Sequence, residues 1–172
     1  EIRDLETADI SIKAAQTGHM VLSTLHTNDA PTTLTRMMNM GIPTSNIASS
    51  VILITAQRLA RRLCPTCKVH LDAPRKALLD AGYKADELDG SWTPYKPVGC
   101  SACNNGYKGR VGIYQVMPIT EEIQRIILKG GSALDIAQQS MREGVRTLRE
   151  SGLLKVKQGV TSLEEVLSVT NE

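Results

Sequence analysis

Gly18–Asp29, GHMVLSTLHTND, sets the class of fold. The run from His19 to His26 is short and apolar. A glycine precedes it and the loop chemistry of TNDAP follows it, so it predicts a strand over 19–26. Before it, Asp4 can cap a helix over 5–17, with Glu6 in the first turn, Leu5, Ala8, Ile12 and Ala15 on one face, and Gly18 at the stop. After it, Pro31 is tolerated in the first turn of a helix running to about Met40, which Gly41 and Pro43 end. Helix, strand and helix in that order predict an α/β fold.

In a strand, side chains alternate faces. His19, Val21, Ser23 and Leu25 point one way, and Met20, Leu22, Thr24 and His26 the other, so the two imidazoles do not ligate one ion from a straight strand. In open parallel sheets, ligands bind beyond the carboxyl ends of strands. That places His26, Thr27 and Asn28 to meet a polar ligand such as phosphate. The residues allow a second reading, two histidines satisfied by hydrogen bonds at the rim of a sheet.

Further along, Ser45 is placed to cap a longer helix over about 46–63. Its middle, IASSVILITA, is apolar nearly all round and reads as deeply buried, and Arg58, Arg61 and Arg62 suit the negative end of the helix dipole. From Cys64 to about Gly109 periodicity is weak, and Pro, Gly, Asp and Lys are common. GRVGIYQVM (109–117) returns to strand-like residues, and GYKGR (106–110) reads as the turn leading into it. Thr120, Ser132 with Asp135, and Thr161 with Glu164 then mark three helix starts, with Gly130, Gly144 and Gly159 at stops. The layout is an α/β part over 1–63, a cysteine-bearing insert over 64–109, and a strand plus helical subdomain over 110–172.

The 172 residues are enough for a real hydrophobic core, and 41% of them are apolar. There is no Phe and aromatics make up 3%, so Leu, Ile, Val, Met and Ala must fill the interior, and platforms for stacking bases are scarce. A net charge of +2 gives no case for a nucleic-acid or polybasic membrane partner. No apolar run approaches the roughly 20 residues a membrane span needs, and no signal peptide is visible. The opening EIRDLET begins mid-pattern, which predicts a fragment of a longer protein.

All four cysteines fall in two CxxC pairs, Cys64 with Cys67 and Cys100 with Cys103, and 32 residues separate the pairs. Each pair can bend both sulfurs toward one point, and two such knuckles make a closed four-thiolate site, the pattern of structural Zn2+. With no open coordination position, such a metal holds structure and performs no chemistry. His70 is then a bystander. Free thiols, disulfides or a redox pair are the alternatives; matched duplicate CxxC motifs without a secretory context disfavour them.

EIRDLET, AAQTGHMVLSTLHTN, NMGIPTSNIASSVILITAQRLARRLC, the paired CxxC motifs, GYKGRVGIYQVM and GVTSLEEVLSVT together resemble the secretion ATPases that drive type II secretion and type IV pili. The resemblance covers essentially the whole chain and is nearest to the pilus-assembly branch, since the retraction branch lacks the tetracysteine insert. It implies a partial RecA-like core with a zinc insert and a helical C-terminal subdomain. It implies that Glu1 matches the Walker B acid, which helps hold Mg2+ through water, and that His19 and His26 match a histidine box near the γ-phosphate of ATP. By the same resemblance Cys64, Cys67, Cys100 and Cys103 hold zinc. The intact protein would be a cytoplasmic homo-hexameric motor that couples ATP hydrolysis to pilin polymerisation. It would meet an inner-membrane platform protein through the insert and helical tail.

One part of the pattern is missing. No G-x-x-x-x-G-K-[ST] occurs, and in the family the P-loop lies upstream of the Glu1 match. Without that phosphate cradle, this chain alone is expected to hydrolyse ATP negligibly. A type II secretion ATPase is the neighbouring reading. A reading of another class is a zinc-ribbon module that binds nucleic acid through Lys68, Arg75, Lys76, Lys84, Lys96, Lys108 and Arg110, or a docking scaffold. The near-neutral balance and few aromatics count against nucleic acid.

Overall fold

The computed structural model describes residues 1–170. It forms an α/β chain with eight α-helices, four strands and one short 3-10 helix among the described residues. The chain divides into two compact units. One takes Glu1–Ala56 and Gln115–Val145; the other takes Gln57–Tyr114 and the chain from Arg146 onward. Each unit therefore draws on non-contiguous stretches of sequence.

The first unit opens with α1 (Leu5–Gln16), capped by Asp4, which accepts from the Thr7 backbone N–H at 2.8 Å. Ala8 and Ile12 of the predicted face are buried, while Leu5 is 47% exposed. Helix α2 (Ala30–Asn39) carries Pro31 in its first turn, as expected, and its capping box joins Asp29 to Thr32. The Ala30 N–H, which no residue within the helix can satisfy, donates to Gln115 Oε1 at 2.9 Å. Helix α3 (Thr44–Ser50) follows. The unit is completed by α5 (Glu121–Leu128), capped by Thr120, and α6 (Ala133–Arg142), boxed by Ser132 and Asp135 as their spacing predicts. Leu34, Ile47, Met117, Ile123, Ile127 and Ile136 form its interior, and the absent Phe is replaced by aliphatic residues.

Two expectations fail in this part of the chain. Residues 19–26 are extended but not a paired strand. Ile2 N–H donates to Thr24 O at 2.9 Å and His19 N–H to Ala14 O at 3.1 Å, but among the described residues no ladder forms over this stretch. A strand is defined by its neighbour, and this one has too little neighbour, so Met20 and Leu22 are 77% and 90% exposed. The predicted long helix over 46–63 is instead α3 followed by strand β1 (Leu53–Leu63), and Pro43, not Ser45, occupies the cap position. The cause is the β-branched run Val51, Ile52, Ile54 and Thr55, which favours a pleated strand over a helix. The deep burial expected there also fails, with Ile52 69% and Leu53 50% exposed.

Strand β1 pairs with β4 (Tyr107–Pro118), the strand expected from GRVGIYQVM. Buried Ile113, Gln115 and Met117 alternate along β4 with exposed Tyr114 and Val116. The second unit adds β2 (Val69–His70) and β3 (Tyr95–Lys96), which pair antiparallel, with α4 (Arg75–Ala81) and the 3-10 turn Ala85–Glu87 between them. Helices α7 (Leu148–Lys157) and α8 (Leu163–Val169) pack on each other. They meet closely at Gly152, where an added Cβ would lie 2.5 Å from Val166 Cγ1.

The helix cap assigned to Thr161 lies one residue further on, at Ser162, and the reciprocal bond that would make it a box does not form. The Ser162 hydroxyl accepts from the Glu165 N–H, whereas the Thr161 hydroxyl donates to Arg61 O at 2.8 Å. Glu165 does not fold back on its own helix. Its carboxylate takes the Arg61 backbone N–H at 2.9 Å and the Arg61 guanidinium at 2.6 Å. Arg61 also lies 4.2 Å over the Tyr107 ring, and the Tyr107 hydroxyl bonds Ser162 Oγ. The guanidinium hydrogen bond holds the Glu165 carboxyl below its ordinary range.

Candidate functional site

Two groups of chemistry-bearing residues stand out, one in each unit. In the second unit, β1 delivers Cys64 at its end, and the turn that follows supplies Cys67. The turn before β4 supplies Cys100 and Cys103. The Cys64 N–H donates to Gly106 O at 2.9 Å, tying one knuckle to the other. Gly106 has φ +85°, and any Cβ there would fall 2.8 Å from Pro97 Cα, so this turn of GYKGR requires glycine.

All four sulfurs lie within 4.8 Å of one another. The Cys64–Cys100, Cys67–Cys103 and Cys100–Cys103 separations are 3.9, 3.8 and 3.6 Å. A disulfide needs about 2.05 Å, and all four cysteines are free. Sulfurs about 2.3 Å from one tetrahedral centre stand about 3.8 Å apart, so the cluster has the dimensions of a four-thiolate metal site. Gly99 and Cys100 backbone N–H groups each donate to a sulfur at 3.3 Å, which orients Cys67 and Cys103.

The thiols respond to this crowding. The Thr66 backbone N–H draws Cys64 down to about 6. The Ala102 N–H pulls Cys100 in the same direction, but the neighbouring sulfurs, Cys103 first, together with burial outweigh it and leave Cys100 at about 11. Adjacent thiolates resist ionising together, and a bound dication removes that resistance. His70 is not one of the cluster. Its Nδ1 lies 2.6 Å from Thr93 Oγ1 and its ring stacks on Tyr95, as a bystander would.

In the first unit, the extended opening segment brings Glu1 beside the end of the His19–His26 run. His26 Nε2 lies 2.9 Å from Glu1 Oε1, and Arg3 Nη2 lies 2.6 Å from Glu1 Oε2. The Arg3 hydrogen bond holds the Glu1 carboxyl below the ordinary range, and His26 acts in the same direction. Asp4, the other acid of EIRD, is taken up as the α1 cap, so Glu1 is the carboxylate left to meet Arg3 and His26. Both of its oxygens are engaged, so a hard divalent cation, which takes oxygen ligands, would bind there only by sharing the carboxylate with these groups or displacing them.

The structure does not bring the other histidine to this point. His19 Nδ1 lies 3.1 Å from Thr17 Oγ1 and 3.3 Å from Ala14 O, closing off the end of α1. Thr27 turns its hydroxyl to Thr33 Oγ1 at 2.6 Å, and Asn28 follows in the loop. A cavity of about 270 Å³ lies under this segment, lined by Ile2, Ile12, Val21, Thr24, Thr27 and Ile54 among others, and neither Glu1 nor His26 lines it. The sequence reading gave Arg3 no role. Its signal was the spacing: in an extended segment residues i and i+2 share a face, so Arg3 stands beside Glu1.

Among the described residues no helix is long and apolar enough to cross a membrane. Residues 1–168 match the family described as Type II/IV secretion system protein. The chain is 59% identical over 172 residues to the type IV pilus assembly ATPase PilB of Pseudomonas aeruginosa and 52% identical to PilB of Myxococcus xanthus. It is 43% identical to the type II secretion system protein HxcR of Pseudomonas aeruginosa. It spans about 30% of the length of these curated relatives. The crystal structure of the pilus retraction motor PilT with bound ADP shares the fold, at a TM-score of 0.64 and 22% identity, over all of this chain and 38% of that one. By the family match and these identities together, the chain belongs to the type II/IV secretion system protein family.

Proposed function

We propose that this chain is part of a motor ATPase that couples ATP hydrolysis to type IV pilus assembly. Identity of 59% and 52% to two pilus assembly ATPases, against 43% to a type II secretion protein, favours pilus assembly over secretion. The observation that carries the reading is the direct bond between Glu1 and His26, since phosphoryl transfer needs a metal-holding acid and a phosphate-facing donor brought to one place.

In this reading Glu1 helps to hold Mg2+ through water, and His26 links that acid to the terminal phosphate. Thr27 and Asn28 line the approach, and His19 positions the start of the segment. The metal supplies charge neutralisation of the phosphates when bound. The four cysteines hold zinc, chosen by the all-sulfur donor set and its tetrahedral dimensions, and this site braces its unit without taking part in hydrolysis. The core is RecA-like, the P-loop belongs to another part of the polypeptide, and the working form is a cytoplasmic homo-hexamer that meets a platform protein at the inner membrane.

The test is ATP turnover by the full-length polypeptide beside this chain alone. The full-length protein should turn over ATP and lose turnover on Glu1→Gln, while this chain alone stays inactive. Sustained turnover by the isolated chain, or full activity in the Glu1→Gln protein, would contradict the reading.

A further inference from the structure

Both oxygens of the Glu1 carboxylate are already occupied, Oε2 by Arg3 at 2.6 Å and Oε1 by His26 at 2.9 Å. A carboxylate engaged on both oxygens is not an open metal site. Its two partners differ in kind. The imidazole can present a neutral N–H and remain beside the acid, whereas a guanidinium keeps its full charge at any working pH. A divalent cation approaching Glu1 must therefore work against Arg3. Arg3 is also free to leave, since it is 72% exposed and lines an open depression of about 460 Å³ with Thr32, Thr35, Arg36 and Asn39. The Thr35 hydroxyl is buried there without a partner.

We propose that Arg3 is a positioning residue that acts as the resident counter-ion of Glu1: it holds the carboxylate in place before the metal arrives, is displaced by the metal, and so sets how much divalent cation the site requires. The proposal rests on the assignment of Glu1 as the metal-holding acid. Exposed ion pairs are weak, so removing Arg3 should lower the Mg2+ concentration for half-saturation by about 1.4- to 5-fold. Ordinary loss of fold would not produce tighter metal binding.

The experiment is a Mg2+ titration of the binding of a non-hydrolysable ATP analogue to the full-length protein, read by fluorescence or calorimetry without turnover. Arg3→Gln should shift half-saturation to lower Mg2+, and Arg3→Lys, which restores the charge, should return it toward the unsubstituted value. Arg36→Gln, which removes a guanidinium from the same depression without one bonded to Glu1, should leave it unchanged. Equal shifts in Arg3→Gln and Arg36→Gln would reduce the effect to bulk charge and overturn the proposal. So would an unchanged or raised Mg2+ requirement in Arg3→Gln. Glu1→Gln separates the two layers. If it shifts the titration while Arg3→Gln does not, only the counter-ion role falls. If Glu1→Gln itself has no effect, the metal-holding assignment falls and takes the proposal with it.

Discussion

The sulfur cluster and the acid–imidazole pair are held in place by opposite means. The four sulfurs are fixed by backbone. Two turns, a glycine at positive φ and N–H groups aimed at sulfur set the geometry, and Cys64 is fully buried. Glu1 is fixed by side chains, a guanidinium and an imidazole that are 72% and 83% exposed. The first arrangement is rigid and closed, which suits a metal that stays. The second is exposed, and its partners can exchange, as the proposed displacement of Arg3 requires.

Breaking the closed site should give the largest effect. Cys100→Ser in the full-length protein should abolish zinc at one ion per four thiolates, because three remaining sulfurs leave the tetrahedron open. The second unit should then become protease-sensitive, since metal binding in small all-thiolate sites is coupled to folding. Zinc analysis with limited proteolysis checks this, and one retained zinc per chain would sink the four-thiolate site. In the open site, Glu1→Gln should lower ATP turnover by about 100-fold or more, the scale of losing one preorganised charge-stabilising group, with unfolding midpoints unchanged.

Glu165, whose side chain is 9% exposed, braces the cysteine-bearing unit through Arg61 without metal. Glu165→Gln should cost about 1–3 kcal/mol, below a fully buried pair because Arg61 is half exposed. The folded-state carboxyl is held down by Arg61, so its contribution is present above the unfolded value of about 4.3 and is lost as pH falls through the lower folded value. Glu165→Gln should therefore flatten the acid side of the stability profile, measured by denaturant unfolding between pH 7 and 3. The smallest effect divides the two histidines. His26→Ala should cost about tenfold in turnover, as one hydrogen bond to a charged partner does, and His19→Ala less than about threefold. The reverse ranking would mean that the Glu1–His26 contact is incidental.

The same contrast explains what could be read in the sequence. The cysteine cluster was legible because its information is local: CxxC spacing fixes each half, and the number of thiols fixes the whole. Helices α1, α2, α5 and α6 were legible from Asp4, Pro31, Thr120 and Ser132, since caps act within one turn. The choice between two caps in TSLEE was not, because Thr161 and Ser162 each have an acid three residues on. Arg61, a hundred residues away in sequence, decides it by taking the Thr161 hydroxyl at its carbonyl and the Glu165 carboxylate at its side chain. The T-x-x-E of Thr147 and Glu150 is an equally local signal for the start of α7.

The misread run over 46–63 shows a different limit. Apolar residues in an unbroken row carry no period, so length favoured a helix while the β-branched side chains and pairing with β4 produced a strand. The acid–imidazole pair was legible only through resemblance. No local rule places residue 1 against residue 26, and the backbone bond from Ile2 to Thr24 that does so is a tertiary fact. Arg3, two residues from Glu1, was readable by alternation alone.

The division of labour between the two sites is tested most directly by measuring the Mg2+-dependent affinity of full-length Cys100→Ser protein for a non-hydrolysable ATP analogue, after zinc analysis confirms that the metal is gone. Affinity should stay within about threefold of the unsubstituted protein, an energy below that of one ordinary hydrogen bond. A loss as large as that caused by Glu1→Gln would contradict it, because the sulfur-bound metal would then be part of the nucleotide site.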